Sequence, residues 1–180
     1  MTTTLFTNAH IATGEPGSTA ASTLPLQDIL VTDGVFTAFG PGLAQQYEAQ
    51  GGDLAAIEVV DLGGKLVCPP FCDTHLHLDY VFTARKPGAV NESGTLFEGI
   101  QRWSETKSDL TVDEIKQRAK IGIKKEMLHG VQLIRSHADV TDPNLTSLKA
   151  LLELKEELKD TVTLQIVSFP QEGMYSYEGP

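Results

Sequence analysis

Cysteine is scarce in this chain: Cys68 and Cys72 are the two among 180 residues. Two thiols four positions apart do not make a disulfide framework. They read instead as small apolar residues beside a buried strand. Basic residues are also in short supply. Fourteen Lys and Arg face 24 Asp and Glu, for a formal net charge of −10. That disfavours nucleic acid as a partner, because neutralising phosphates needs a basic face. No apolar run is long enough to cross a bilayer, so no membrane partner is expected. The stretch from Met1 to His10 lacks the basic segment and apolar core of a secretory signal. A cytoplasmic location is therefore the default expectation. Glycine-rich phosphate loops are missing in both common spacings. The thiolate zinc pattern His-x-Glu followed by Pro-Cys-x-x-Cys is missing too, and Cys68-Pro69-Pro70-Phe71-Cys72 has the wrong spacing for it.

What is present divides into sections. Residues 1–64 read as a small β-rich domain. Leu5 to Ile11, Gln27 to Thr32, Val35 to Phe39 and Ala56 to Asp61 are its strands, and Asp33-Gly34 is a hairpin turn between the middle two. Gly14 to Thr23 is a loop of small and polar residues, and Pro41 to Asp53 is irregular with one helical turn. From Lys65 onward, strands and helices alternate. Leu66-Val67 runs into Pro69-Pro70, so that strand is short or broken before Phe71 to Asp79. Leu96 to Lys107 is a helix. Thr111 and Glu114 have capping-box spacing, and they open a long helix with Ile115, Ala119, Ile123 and Met127 on one face. Gly130 stands where a helix-ending glycine belongs. Val131 to Val140 is a strand, Asp142-Pro143-Asn144 starts a helix whose leucines from Leu145 to Leu158 form core, and Val162 to Phe169 is the next strand. This order argues for βαβ units and a parallel sheet. A complete (β/α)₈ barrel takes about 250 residues and eight strands. Residues 65–180 supply three barrel-type strands, so the reading is either a small open α/β domain or the first part of a barrel.

His75 and His77 carry the chemistry. Residues two apart on a strand share a face, which brings two imidazoles toward one point. Neutral imidazole is the commonest metal ligand. Two polar side chains at a strand end are the plain alternative. The position after a buried-looking strand, with Asp79 following, puts the pair where barrel enzymes place their sites. Arg135, His137 and Asp139 also alternate. His137 and Asp139 either orient the metal ligands or form a hydrogen-bonded network that supports the sheet.

Four motifs occur in order. Gly64 to Asp79, with its prolines, Phe71-Cys72-Asp73 and His75-Leu76-His77, resembles the first barrel strand of the amidohydrolase superfamily. Ser93-Gly94-Thr95-Leu96-Phe97-Glu98-Gly99-Ile100 with Arg102-Trp103 resembles the bacterial cytosine deaminases within it. Arg135-Ser136-His137-Ala138-Asp139-Val140 and Leu164 to Gly173 do as well. The resemblance implies an amidohydrolase TIM barrel preceded by a β-sandwich segment, with hydrolytic deamination of cytosine to uracil and ammonia in pyrimidine salvage. Isoguanine, creatinine-like rings and triazines are the alternative substrates, and a non-catalytic fragment is the alternative of another class. His75 and His77 match two metal ligands, with Fe2+ expected first and Zn2+ as the other choice. Gln171 matches the glutamine that reads the pyrimidine edge, since an amide offers both donors and an acceptor. Leu96 matches a contact to the ring. Glu98 and Trp103 shape the pocket rim or the helix. A small-molecule substrate and a homo-oligomeric full-length protein follow from the same resemblance. The remaining catalytic groups of the family come from later strands, beyond Pro180. Two histidines alone bind metal weakly, so the 180 residues by themselves are expected to be inactive.

Overall fold

The structure is a computed structural model and describes residues 2–12 and 24–174. The loop expected at Gly14 to Thr23 lies outside the described residues. The chain divides into two compact units, one up to Pro69 and one from Pro70 onward.

The first unit is built on one sheet. β1 (Thr3–Ile11) pairs antiparallel with β2 (Leu26–Thr32), which turns back into β3 (Val35–Gly40). Asp33 and Gly34 both take positive φ, 50° and 77°, which sets the strand twist that a two-residue hairpin needs. Helix α1 (Leu43–Ala49) follows. It is a fuller element than the single turn expected there. The buried Asp28 carboxylate anchors its start by accepting from the Leu43 amide at 2.9 Å. The strand expected from Ala56 is shorter. Leu54–Ala56 forms a 3₁₀ turn capped by Asp53, and β4 begins only at Glu58 and ends at Asp61. β4 and β5 (Leu66–Val67) both pair parallel with β1.

The second unit has a parallel sheet in the order β6 (Phe71–Leu76), β7 (Val131–Asp139), β8 (Thr163–Phe169). Between β6 and β7 lie helices α2 (Leu96–Lys107) and α3 (Val112–Leu128), and α4 (Thr146–Glu157) connects β7 to β8. Parallel neighbours need such crossovers. Helices α2 and α3 both have side-chain N-caps. Thr95 Oγ1 accepts from Glu98 N, and Thr111 with Glu114 makes a reciprocal capping box. Gly130 ends the α3 turn with φ 86°, and its carbonyl accepts from Phe71 N at 2.9 Å.

The core lies between the sheet and these helices. Ile115, Ala119 and Ile123 of α3 pack with Leu151 and Leu154 of α4 and with Ile134 and Leu164 of the sheet, all essentially excluded from water. Burying a leucine or isoleucine contributes about 1.5–3 kcal/mol, so this cluster holds the strand ends in place.

Three readings of the sequence need correction here. Cys68 and Cys72 are exposed. Cys68 follows a two-residue strand that stops before Pro69-Pro70, and Cys72 sits on the open face of β6. The leucine stripe of α4 is only partly core: Leu152 is 50 % exposed, because its position faces away from the sheet. The helix also starts later than Asp142-Pro143-Asn144. Leu145 sits at its N-cap with φ 52°, while the Asp142 carboxylate accepts from Asn144 N and Thr146 N at 2.9 and 3.0 Å.

Candidate metal and ring-binding site

The site forms at the C-terminal ends of β6, β7 and β8. Strand β6 closes at Leu76, and His77 stands one residue beyond it. The Asp73 carboxylate accepts from His75 N at 2.9 Å. Buried Ser136 on β7 accepts from Leu78 N at 3.0 Å. Asp79, fully buried, accepts from Asp139 N at 2.8 Å and from Tyr80 N at 3.1 Å. Arg118 of α3 donates to the carbonyls of Asp79 and Val81 at 2.9 and 3.1 Å. The chain just past the two histidines is thus pinned from β7 and from α3.

This framework brings His75 Nε2 and His77 Nε2 to 3.3 Å. Two nitrogens bonded at about 2.0–2.1 Å to one tetrahedral ion lie about 3.3–3.4 Å apart, so the pair fits a metal. Burial, then the charges of His75 and His137, push the His77 pKa down. That favours neutral imidazole, the form that binds metal. His77 Nδ1 and His137 Nδ1 are buried and lack a hydrogen bond of good geometry, although the backbone of His137 and of Leu76, respectively, lies beside them. A proton held on Nδ1 toward such a carbonyl leaves Nε2 free to ligate. Among the described residues, no group of three or more His, Cys, Asp or Glu side chains is arranged to hold an ion. The donor set present is two imidazoles.

His137 stacks on His75 at 4.1 Å between ring centroids and lies 5.6 Å from His77. Arg135, two residues earlier, is exposed and donates to Gln165 at 2.7 Å. Asp139, two residues later, is buried and turns to other partners. Its Oδ2 accepts from Trp103 Nε1 at 2.6 Å and Lys107 Nζ at 3.3 Å, and its Oδ1 accepts from the Thr141 amide and hydroxyl at 2.8 and 2.6 Å. Burial raises the Asp139 pKa, but the Thr141 and Trp103 hydrogen bonds and the Lys107 charge outweigh it and leave the carboxyl below its ordinary value. Asp79 goes the other way. Burial and the nearby Asp139 charge push it up to about 6 despite its hydrogen bonds.

Beside the histidines is a cavity of about 410 Å³, lined by Tyr80, Leu96, Trp103 and Gln171 among others. Tyr80 links the two places: its ring stacks on His77 at 4.6 Å and meets Trp103 at 4.8 Å. Gln171 and Leu96 both line this one cavity. Leu96 is 73 % exposed at the mouth. Glu98 accepts from the Ser93 hydroxyl and from the Ser93 and Glu92 amides, the amides at 2.7 and 3.0 Å, which ties down the loop before α2 and holds the Glu98 carboxyl at about 2.

Tyr80 and Lys107 escaped the sequence reading. Lys107 lies four residues after Trp103, on the same helical face, which is a usable signal. Tyr80 follows the metal-ligand motif directly, but nothing in its spacing says that it faces the cavity.

A parallel sheet laid down by helical crossovers, with two imidazoles at its C-terminal end, is the architecture of a segment of an α/β barrel. The model of the amidohydrolase family matches residues 58–179, and the chain belongs to that family. The structure superposes with a TM-score of 0.78 and 40 % identity on 5-methylcytosine deaminase from Klebsiella pneumoniae liganded with 5-fluorocytosine, covering 96 % of this chain and 38 % of that one. The N-isopropylammelide isopropyl amidohydrolase of Pseudomonas sp. (strain ADP) is 35 % identical over 120 residues, 64 % of this chain and 30 % of that protein. The pterin deaminase of Rhizobium rhizogenes (strain K84 / ATCC BAA-868) is 27 % identical over 152 residues, 82 % of this chain and 32 % of that protein. The chain thus spans 30 % to 38 % of the length of these relatives. Their likeness accounts for the three barrel-type strands, which form the first part of a larger amidohydrolase barrel fold.

Proposed function

We propose that this chain carries the first metal ligands and the substrate wall of a hydrolase that deaminates cytosine or a close amino-substituted pyrimidine. The observation that carries the reading is the 3.3 Å approach of His75 Nε2 and His77 Nε2 beside the cavity that Gln171 lines. His75 and His77 would hold one divalent ion, Fe2+ first and Zn2+ as the alternative. Such an ion lowers the pKa of its bound water and so supplies a nucleophile near neutral pH. The chain's own residues do the rest of the work seen here. Gln171 offers a donor and an acceptor to a pyrimidine edge. Trp103, Tyr80 and Leu96 border the cavity in which the ring would sit. His137 and Asp139 hold the histidine end of the sheet in register. The likeness to 5-methylcytosine deaminase favours a pyrimidine. The isopropylammelide hydrolase favours a triazine as the second reading.

The test is ammonia release by the metal-loaded protein as its gene encodes it. Cytosine, 5-methylcytosine, isoguanine, pterin and an amino-triazine make the panel. The proposal expects kcat/KM highest for a cytosine. It expects Gln171→Ala to lower that value by about 5- to 160-fold, the loss of about 1–3 kcal/mol for an unmade polar contact. Turnover of the triazine with none of either cytosine would overturn it. For the 180 residues alone we propose no turnover at ordinary enzyme rates.

A further inference from the structure

The turn after β8 carries Gln171, and the question is what holds that turn. Gly173 N donates to Pro170 O at 2.9 Å, so Gln171 and Glu172 are the two central residues of a tight turn. A turn of this kind fixes its own shape but not its place against the rest of the unit. Glu172 supplies the second tie. Its carboxylate accepts from Lys107 Nζ at 2.6 Å. Lys107 is itself held firmly: its side chain is 12 % exposed, and the same ammonium donates to Thr141 Oγ1 at 2.7 Å and to Asp139 Oδ2 at 3.3 Å. Asp139 in turn accepts from Trp103 Nε1, one helical turn before Lys107. Trp103 and Gln171 both line the cavity. One ammonium therefore joins the last turn of α2, the end of β7 and the turn after β8.

We propose that Lys107 and Glu172 are positioning residues for ring recognition, the ion pair holding the Gln171 amide in a set place on the lining of the cavity that Trp103 also borders. This rests on the reading of Gln171 as the residue that meets the ring. A bound ring needs the amide fixed relative to the rest of the cavity lining, and a loose turn spreads the amide over many positions. Binding then loses the benefit of preorganisation. In this proposal Lys107 and Glu172 act only through the position of Gln171, so the loss falls on KM more than on kcat.

Glu172→Ala and Glu172→Gln are the informative variants, because Glu172 is on the surface and neither change opens the core. The protein as its gene encodes it, loaded with metal, is assayed with the best substrate of the panel. The expected result is a KM raised at least fivefold in Glu172→Ala with kcat within twofold of the parent, and a smaller rise in Glu172→Gln. Gln171→Ala should cost much less in the Glu172→Ala background than in the parent, since a displaced amide has less to lose. Hydrogen exchange without substrate gives an independent readout. The amides of residues 171–173 should exchange at least tenfold faster in Glu172→Ala, with α3 unchanged. Unchanged exchange at those amides overturns the positioning role whatever the substrate proves to be. Faster exchange with an unchanged KM overturns it too. If no ring compound is turned over by the parent, the functional reading fails, and the exchange result alone decides whether the pair holds the turn.

Discussion

Replacing Asp139 by Asn tests the charge network most directly. The carboxylate is 1 % exposed and meets four donors: the Thr141 amide and hydroxyl on one oxygen, Trp103 Nε1 and Lys107 Nζ on the other. An amide accepts on one side only. Whichever way it turns, its NH₂ faces two donors, and Lys107 loses its buried counter-charge. A buried group left without a partner costs about 1–3 kcal/mol, and breaking a buried pair by removing one partner costs about 3–5 kcal/mol. These costs overlap, because Lys107 keeps Glu172 and Thr141. The expected destabilisation is about 3–5 kcal/mol, a large share of a typical domain stability of about 5–15 kcal/mol. Equilibrium urea unfolding followed by circular dichroism measures it. Arg135→Gln, two residues earlier on the same strand but exposed, is the control and should change stability by less than about 0.5 kcal/mol. The effect should also depend on pH. The folded state lowers the Asp139 pKa, so its stabilisation is full above the unfolded value of about 3.9 and is lost as pH falls through the lower folded value. The gap between wild type and Asp139→Asn should therefore narrow in strong acid. An Asn variant within about 1 kcal/mol of wild type at pH 7 would refute this account of the network.

Other outcomes follow from single features. Thr111→Ala should cost about 1 kcal/mol in the same unfolding assay, because it removes the hydroxyl half of the α3 capping box. The lowered pKa of Glu114, which comes first from its bond to the Thr111 backbone and then from Lys86, means that its half of the box works above about pH 4.3 and fades as pH falls through the lower folded value. Gly130→Ala should cost about 1–2 kcal/mol, since φ 86° is strained for an L side chain and the new Cβ would sit 3.4 Å from the Phe71 ring. His77→Ala should reduce bound metal, measured by elemental analysis after dialysis, well below wild type while leaving the far-ultraviolet spectrum intact. A full metal complement in that variant would sink the ligand assignment.

The parts that could be read from sequence are local. The ends of α2, the capping box that opens α3 and the Asp33-Gly34 hairpin each depend on residues within one turn of one another. His75 and His77 are likewise two residues apart, although β6 ends at Leu76 and His77 comes to His75 from just past the strand. Cys68, Cys72 and Leu152 are exposed against expectation because apolar character predicts burial only where something covers the residue. Asp142 shows a milder failure. The helix signal was real, but the carboxylate caps from three residues ahead of Leu145 rather than from the N-cap itself.

Sequence alone determined the family pattern, because motif order is written along the chain, and it marked His75 and His77 as the pair to examine. Tertiary structure decided the site's working geometry. The 3.3 Å separation of the two ring nitrogens, the stacking of His137 on His75 and the cavity lined by both Trp103 and Gln171 are not set by spacing. Trp103 meets Asp139 across 36 positions and Lys107 meets Glu172 across 65. Contacts that distant are fixed by the register of β6, β7 and β8 and by how α2 lies against them, and no local rule encodes either.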